Sequence, residues 1–424
     1  MTIQEAIAYI EAHTWSQWKL GLSRTVELLE KLGNPQKNLC FVHVAGSNGK
    51  GSTCAMIERI LREAGYRTGL YPSPHIEEFR ERIQMNGTCI PEDALCELTA
   101  RVKEVADAME DHPTQFELIT AIGMLFFAEQ HCDIVVLEVG LGGAFDSTNV
   151  IDAPEVCVIT NIGLDHTEYL GDTLPKITEA KCGIIKHGAD VVLYENTPEI
   201  TDVVKAFCSE KDCCLHIAYH ARIRALEETL DGQTFVLDDK KTLRLALLGS
   251  YQLRNVSTVL TVIDVLRSRG FEIPEEAVEQ GLARVMWPAR FEVLRRSPLF
   301  LLDGGHNPQC AEALAESLSR IRETSGRRMT FLFGTLSDKD YETIIEILSP
   351  HAQEFICVTP DSNRALPAAE LADLLREKGF PARACDTTED AVRTCLAIQE
   401  RPVVAFGSLY MAGAVRKAFF ELSG

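Results

Sequence analysis

Phe41-Val42-His43-Val44-Ala45-Gly46-Ser47-Asn48-Gly49-Lys50-Gly51-Ser52 is the stretch from which the fold is read. Its first five residues spell a short buried strand. Met56, Ile57, Ile60, Leu61 and Ala64 then recur at helical spacing, so the glycines fall on a strand-to-helix turn. A phosphate suits such a turn: glycines let backbone N–H groups point at an anion, the helix N-terminus adds partial positive charge, and Lys50 can neutralise a β/γ-phosphate pair. Ser52 can hold a metal. The general phosphate-loop pattern wants Gly at position 44 and Ser or Thr directly after the Lys, whereas Val44 and Gly51 stand there, so the match is to a variant. The alternative is an ordinary tight turn capped by glycine.

Upstream, residues 2–32 carry helical patterns that end at Gly33-Asn34-Pro35. Downstream, Arg67–Tyr71 reads as a strand running into the stiff loop Pro72-Ser73-Pro74-His75, and helices are expected over 92–109 and 117–131. The apolar run Ile134–Val139, with Gly140, Gly142 and Gly143 behind it, predicts a buried parallel strand ending in one acid, Glu138. Strands follow at Val156–Thr160 and Val191–Tyr194, with a helix around Leu174–Ile185 that carries Lys181. Residues 201–248 read as a helix plus a β-meander, and Asn255–Arg267 as a helix. Strand and helix alternation through 41–194 predicts a parallel sheet covered on both faces. Near Arg295–Pro298 the pattern restarts as a second α/β unit, with strands at 299–302, 329–333, 355–358, 382–385 and 403–406. Open α/β sheets bind ligands at the carboxyl ends of their strands, so the expected site is a cleft between the two domains.

Each polar candidate has two readings. Glu138 closes an apolar strand, a costly place for an acid unless it holds a metal or faces solvent. His166, in Leu164-Asp165-His166, gains weight only if its strand neighbours that of Glu138. Lys181 on a helix reads as solvated surface. Ser73 offers a hydroxyl to a metal or closes a turn. Asp303 and His306 in Asp-Gly-Gly-His-Asn-Pro open a helix whose N-terminus favours an anion, or form a capping turn. Arg290, behind Trp287-Pro288-Ala289, reaches a phosphate or stays at the surface.

Composition narrows the function. The 424 residues are too many for one compact core. A hydrophobic content of 46% with 25% charged residues describes a globular protein. The formal net charge of −20, from 42 Lys and Arg against 62 Asp and Glu, argues against nucleic acid and anionic membrane as partners. Fourteen scattered Cys without a C-x-x-C suggest reduced structural thiols in a cytoplasmic protein. No export signal or membrane span is read.

Eight stretches, in order from residue 43 to residue 410, resemble the folylpolyglutamate synthase and dihydrofolate synthase family, a branch of the Mur ligases. They are His43–Ser52, Ser73-Pro74-His75 with Arg82-Ile83, Leu137–Gly143, Leu164-Asp165-His166, Ala180–Ile185, Trp287–Arg290, Asp303–Pro308 and Gly407–Tyr410. The resemblance implies an α/β fold: a central P-loop domain with a parallel sheet over 1–296, and a C-terminal Rossmann-like glutamate-ligase domain over 297–424. It makes Asn48, Gly49, Lys50, Gly51 and Ser52 the ATP phosphate loop, with Asn255, Arg290 and Asp303 as further ATP contacts, the last two acting across the cleft. Ser52, Ser73, Glu138, His166 and Lys181 become ligands for two Mg2+ sites, with Lys181 carboxylated to a carbamate, and a monovalent cation is a further candidate. His306 and Ser408 fall at positions associated with glutamate; Thr114, Gln115, Phe116, Phe145, Asp146 and Ser147 fall on the pterin side. Lys50, Lys181, Asp303 and His306 are the residues assigned to catalysis. Ser47 stands where Thr is usual and Gly305 where Ala is common. Phe145 and Lys19 lie in regions tied to pteroate and leave open whether dihydropteroate is accepted as well as folates.

The implied reaction is ATP-dependent amide ligation by a monomer. A terminal carboxylate attacks the γ-phosphoryl group to give an acyl phosphate, and the glutamate amine displaces phosphate. A Mur-type ligase acting on a cell-wall precursor and a P-loop ATPase switch without ligase activity are the competing readings.

Overall fold

The computed structural model describes residues 1–13 and 21–423; Lys19 lies outside them. By its internal contacts the chain divides into two compact units. The first comprises residues 1–224, 236–244 and 254–285, and the second 225–235, 245–253 and 286–424.

The first unit is built on an eight-stranded sheet: β1 (Phe41–Ala45), β2 (Thr68–Tyr71), β3 (Gln84–Met85), β4 (Thr88–Cys89), β5 (Ile134–Glu138), β6 (Val156–Ile159), β7 (Asp190–Tyr194) and β8 (Cys214–Ala218). The order is β4-β3-β2-β5-β1-β6-β7-β8. Six strands run parallel, and β3 and β4 add an antiparallel edge. Every residue of β1, β5 and β6 is buried, which is why they read as unbroken apolar runs rather than alternating ones. Two apolar clusters lie side by side on one face, because the strand registers place Val135, Leu137, Ile159 and Val191 on the same side: Leu118, Ile122 and Phe127 pack with Val135 and Leu137, and Ile177, Ile200 and Val204 with Ile159 and Val191. The phosphate-loop helix Lys50–Glu63 buries Met56, Ile57, Ile60 and Leu61. Helix Glu275–Arg284 packs on it so closely that a Cβ at Gly281 would stand 2.8 Å from Ile60 Cα.

Two expectations shift here. The sheet extends past Tyr194 to β8, so part of the expected meander region joins the parallel sheet; β9 (Ile223–Thr229), β10 (Gly232–Leu237) and β11 (Lys241–Leu245) form a separate three-stranded sheet. Glu138 and His166 do not lie on neighbouring strands, because β1 pairs with β5 on one side and β6 on the other. The phosphate-loop strand is therefore the one between them.

The second unit carries β12 (Glu292–Arg296), β13 (Leu299–Leu302), β14 (Met329–Phe333), β15 (Ala352–Cys357), β16 (Ala382–Ala384) and β17 (Val403–Phe406), ordered β12-β13-β17-β14-β15-β16. All neighbours are parallel except β12, an antiparallel edge joined to β13 by a tight turn. Phe331, Phe333, Phe355 and Phe406 pack ring to ring in its core.

In the first unit, one buried ion pair pins the helix Ser23–Lys31 to the helix Gln115–Glu129. Arg24 Nε donates to Glu117 Oε2 at 3.0 Å, Thr25 Oγ1 donates to the same carboxylate at 3.2 Å, and the Thr114 N–H closes it at 2.7 Å. Both charged side chains are almost fully enclosed. Removing one partner of such a pair strands the other charge. Arg24→Met is expected to destabilise this unit by about 3 kcal/mol, measured as the midpoint of chemical denaturation; an unchanged midpoint would show the pair to be energetically idle.

Candidate active site

The loop after β1 is held from the side by the residues after β6. Ser47 and Asn48 donate their N–H groups to the Asn161 carbonyl at 2.8 and 3.2 Å, and Ser47 Oγ donates to Gly163 O at 2.8 Å. Thr160 Oγ1 lies 2.9 Å from Asn48 O and 3.2 Å from Ala45 O. Gly46, at φ 153°, has no room for a side chain: a Cβ there would fall 1.8 Å from Thr160 Oγ1. Gly49, at φ 85°, likewise meets the amide of Asn255, whose Oδ1 would be 2.7 Å from a Cβ, so Asn255 is packed against the loop. The first two N–H groups of the loop are thus committed to the protein, and the anion-facing donors are left to the first turn of the helix that starts at Lys50.

Two ammonium groups converge on one carbonyl. Lys50 Nζ donates to Gly46 O at 3.1 Å and to Ser47 O at 3.4 Å, while Lys181 Nζ donates to the same Gly46 O at 2.9 Å. Lys181 is not the surface lysine that its helical position suggested; it is 4% exposed. Burial, reinforced by the charge of Lys50 and partly offset by Asp165 and Asp146, brings its ammonium down to about 7. Gly46, Ser47, Lys50, Val139–Gly142, Asp165, His166 and Lys181 line one small pocket. Asp165 is a buried acid on that wall that the sequence reading passed over, although its position before His166 marked it.

The proposed metal ligands fall into two groups. Glu138, 4% exposed and level with Val44 in the sheet, accepts the Ser73 N–H at 3.2 Å. His166, at φ 52°, stands on the pocket wall with Lys181. Ser52 is buried in the first turn of its helix. Hydroxyl and carboxylate oxygens are donors that Mg2+ favours, and a buried carboxylate at the end of the strand beside β1 fits a cation. Elsewhere, Asp190, Cys214 and His216 come together on β7 and β8, but Asp190 is already held by His216 at 2.8 Å and Arg269 at 3.0 Å.

The pterin-side candidates come together in part. Thr114 caps the helix Gln115–Glu129, and Gln115 donates its N–H to His13 O at 2.8 Å. Phe116 and Asp146 both press on Gly140: a Cβ there would lie 2.7 Å from the Phe116 ring and 3.2 Å from Asp146 Oδ2. Asp146 is buried, which raises its carboxyl, and it accepts the Leu141 N–H at 2.9 Å and the Thr148 N–H at 3.0 Å. Ser147 is buried beside it, while Phe145 is 59% exposed.

In the second unit, Asp303 follows β13 and its carboxylate is taken up by the turn it begins. Oδ1 accepts the Gly305 N–H at 2.7 Å; Oδ2 accepts the Phe291 N–H at 2.8 Å and the Tyr251 hydroxyl at 3.2 Å. Tyr251 is a member of this site that no sequence motif flagged. The Ala289 carbonyl accepts both the Gly304 N–H at 2.8 Å and Arg290 Nη1 at 2.9 Å, so Arg290 lies beside the turn. His306 Nδ1 is 3.0 Å from Gly304 O, which makes it the protonated nitrogen. Ser408 is buried and accepts the Tyr410 N–H at 3.1 Å, next to a Gly407 N–H that donates to Gly305 O.

A glycine loop clamped beside Lys50 and the buried Lys181, on a parallel sheet, in a chain that also carries a separate α/β unit, defines a class. Residues 44–263 match the Mur ligase middle domain, and residues 289–409 the Mur ligase glutamate ligase domain. The dihydrofolate synthase/folylpolyglutamate synthase of Bacillus subtilis is 36% identical over 97% of this chain and 99% of its own. The Mycobacterium tuberculosis folylpolyglutamate synthase, solved with ADP and AMPPCP, superposes at a TM-score of 0.88 with 28% identity, covering 98% of this chain and 99% of that one. Escherichia coli FolC in complex with DHPP and ADP gives 0.87 with 29% identity, over 100% of this chain and 99% of that one. The chain belongs to the Mur ligases, in the family of the dihydrofolate and folylpolyglutamate synthases.

An amine brought down to about 7 is mostly neutral above that pH. Trace carbamylation with cyanate, mapped by peptide mass spectrometry, should label Lys181 with a pH midpoint near 7, whereas a free lysine side chain follows the ordinary amine value near ~10. A Lys181 midpoint in the ordinary range would show that its ammonium is not destabilised.

Proposed function

We propose that this protein joins L-glutamate to a folate through an ATP-derived acyl phosphate, and that Lys50, with magnesium, does the electrostatic work of the first step. The observation that carries the reading is the placement of the Lys50 ammonium on Gly46 O at the mouth of a helix N-terminus, beside the buried Lys181. Two anions must approach one another when a carboxylate attacks a γ-phosphoryl group, and fixed positive groups aimed at that point lower the barrier without reorganising. Asn48 to Ser52 hold the triphosphate and Asn255 packs against the loop; Arg290 and Asp303 are the further residues assigned to the nucleotide. In the second unit Asp303 acts by fixing the Gly304-Gly305-His306 turn, and His306 and Ser408 receive glutamate. Thr114, Gln115, Phe116, Phe145, Asp146 and Ser147 take the pterin end, with dihydropteroate as a second acceptor.

Ser52, Ser73, Glu138 and His166 would hold magnesium, which supplies charge neutralisation for the phosphoryl oxygens. Lys181, neutral near physiological pH, has the lone pair needed to take up CO2 as a carbamate. The carbamate is a carboxylate on a long stem, and it adds a ligand to the same set. A monovalent cation is a further component of the proposed site. A cytoplasmic monomer is part of the same proposal. Among the described residues, no helix is long and apolar enough to cross a membrane.

Incubation with ATP, magnesium, labelled glutamate and either dihydropteroate or a tetrahydrofolate should give the glutamylated product by mass spectrometry and glutamate-dependent phosphate release. Phosphate released without regard to glutamate would support a switch, and product formed only from a cell-wall precursor would reassign the substrate. Lys50→Ala is expected to lower kcat by at least ~100-fold with an unchanged circular-dichroism spectrum; near-normal turnover discards the phosphate-loop role. Lys181→Ala should be inactive and partly rescued by short carboxylates, while full activity without them rejects the carbamate.

A further inference from the structure

His43 sits in the middle of β1, wholly buried, three residues before the glycine that opens the phosphate loop. Its Nε2 lies 2.9 Å from Thr148 Oγ1, and its Nδ1 has no partner among the described residues. Thr148 is also fully buried, and both its N–H and its hydroxyl donate to Asp146 Oδ1. With Asp146 Oδ2 accepting the Leu141 N–H as well, the carboxylate is surrounded by donors and is an acceptor only. The direction of every proton then follows. Thr148 spends its single hydroxyl proton on Asp146, so it can only accept from His43, whose Nε2 must carry the hydrogen. The unpartnered Nδ1 is left as a bare lone pair. Adding a second proton there would bury an N–H+ without an acceptor, and burial, with the charge of Lys186, brings the imidazole down to about 3. The chain His43 to Thr148 to Asp146 is therefore fixed in one polarity across the working pH range.

We infer that His43 and Thr148 are positioning residues for the pterin end of the substrate, acting through Asp146 rather than touching the ligand. This rests on the reading of Asp146 and Phe116 as pterin contacts. The physical ground is that Asp146 is held at both oxygens, Oδ1 by the two Thr148 donors and Oδ2 by the Leu141 N–H, and that Gly140 is closed in between Asp146 and Phe116. Loss of the His43 proton donor would leave the Thr148 hydroxyl free to turn. The aspartate and the Gly140–Leu141 backbone would loosen together, while the face of the loop that holds Lys50 would keep its own anchors, Thr160 and Asn161.

The test separates affinity for the two substrates. In titration calorimetry with dihydropteroate and, separately, with ATP and magnesium, His43→Leu and Thr148→Val should weaken the pteroate at least tenfold and leave ATP within twofold. His43→Gln, which restores an N–H donor near the Nε2 position, and Thr148→Ser, which restores the hydroxyl, should recover most of the loss. Equal weakening of both ligands, or no recovery in the conservative variants, overturns the inference in favour of plain core damage. Asp146→Ala run in parallel tells the two levels apart: unchanged pteroate affinity there means the pterin assignment is wrong. Weakening in Asp146→Ala, with normal binding in Thr148→Val, means only that the chain behind it is not needed.

Discussion

The carbonyl oxygen of Gly46 accepts from two ammonium groups, and much of the first unit is arranged so that it can. A carbonyl is a weak counter-ion for two cations, so Lys50 and Lys181 are held near one another against their mutual repulsion by the packing around them. Gly46 has to be glycine because Thr160 fills the space of its side chain, and Thr160 is there because β6 pairs with β1. Lys181 is there because the Gly140–Ala144 segment is pressed into the end of its helix: a Cβ at Gly143 would stand 2.8 Å from the carbonyls of Ala180 and Lys181. The glycines after β5 thus serve close packing, and the lysine that they seat loses the solvation that would keep it charged.

The second unit applies the opposite device. There the organising group is a buried carboxylate, Asp303, which gathers two backbone N–H groups and the Tyr251 hydroxyl and so folds the Gly304-Gly305-His306 turn around itself. Donors that converge on a carboxylate fix the backbone that supplies them. The residues expected to meet ligands, Arg290, His306 and Ser408, are those standing around that turn rather than at its centre.

How far the sequence reveals this depends on the range of the interactions involved. β1 and β5 are legible because both faces of a parallel strand are buried, leaving a continuous apolar run. β8 was hidden because its exposed Cys214 and half-exposed Leu215, His216 and Ile217 make an edge strand without a pattern, and β12 because Glu292–Arg296 is largely polar. Strand order is a long-range property, and so the expectation that Glu138 and His166 gain from adjacent strands gives way to β1 lying between them. Lys181 shows the same limit most sharply. Nothing local distinguishes a buried lysine from a solvated one, and only the resemblance to a family reversed the surface reading. Tyr251 and Asp165 act through partners distant in sequence or as unremarked neighbours of a motif.

A protein of net charge −20 that handles triphosphates must make its positive potential locally. Screening makes this possible: beyond roughly 8 Å at physiological ionic strength the acidic surface is largely invisible to a charge in the loop. Within that distance the balance is set by Lys50 and the helix N-terminus, opposed by Asp165 and Asp146, and by a Lys181 whose protonation is undecided near neutrality. The indecision gives the site two stable responses. A phosphate brought close favours the ammonium and adds a positive charge where the anion sits. A divalent cation disfavours the ammonium and favours the neutral amine, the form from which the proposed carbamate would arise. A lysine at its ordinary value would be locked into the first response, and an arginine could never make the second. The burial that costs Lys181 its charge is for that reason better understood as part of the chemistry than as an accident of packing.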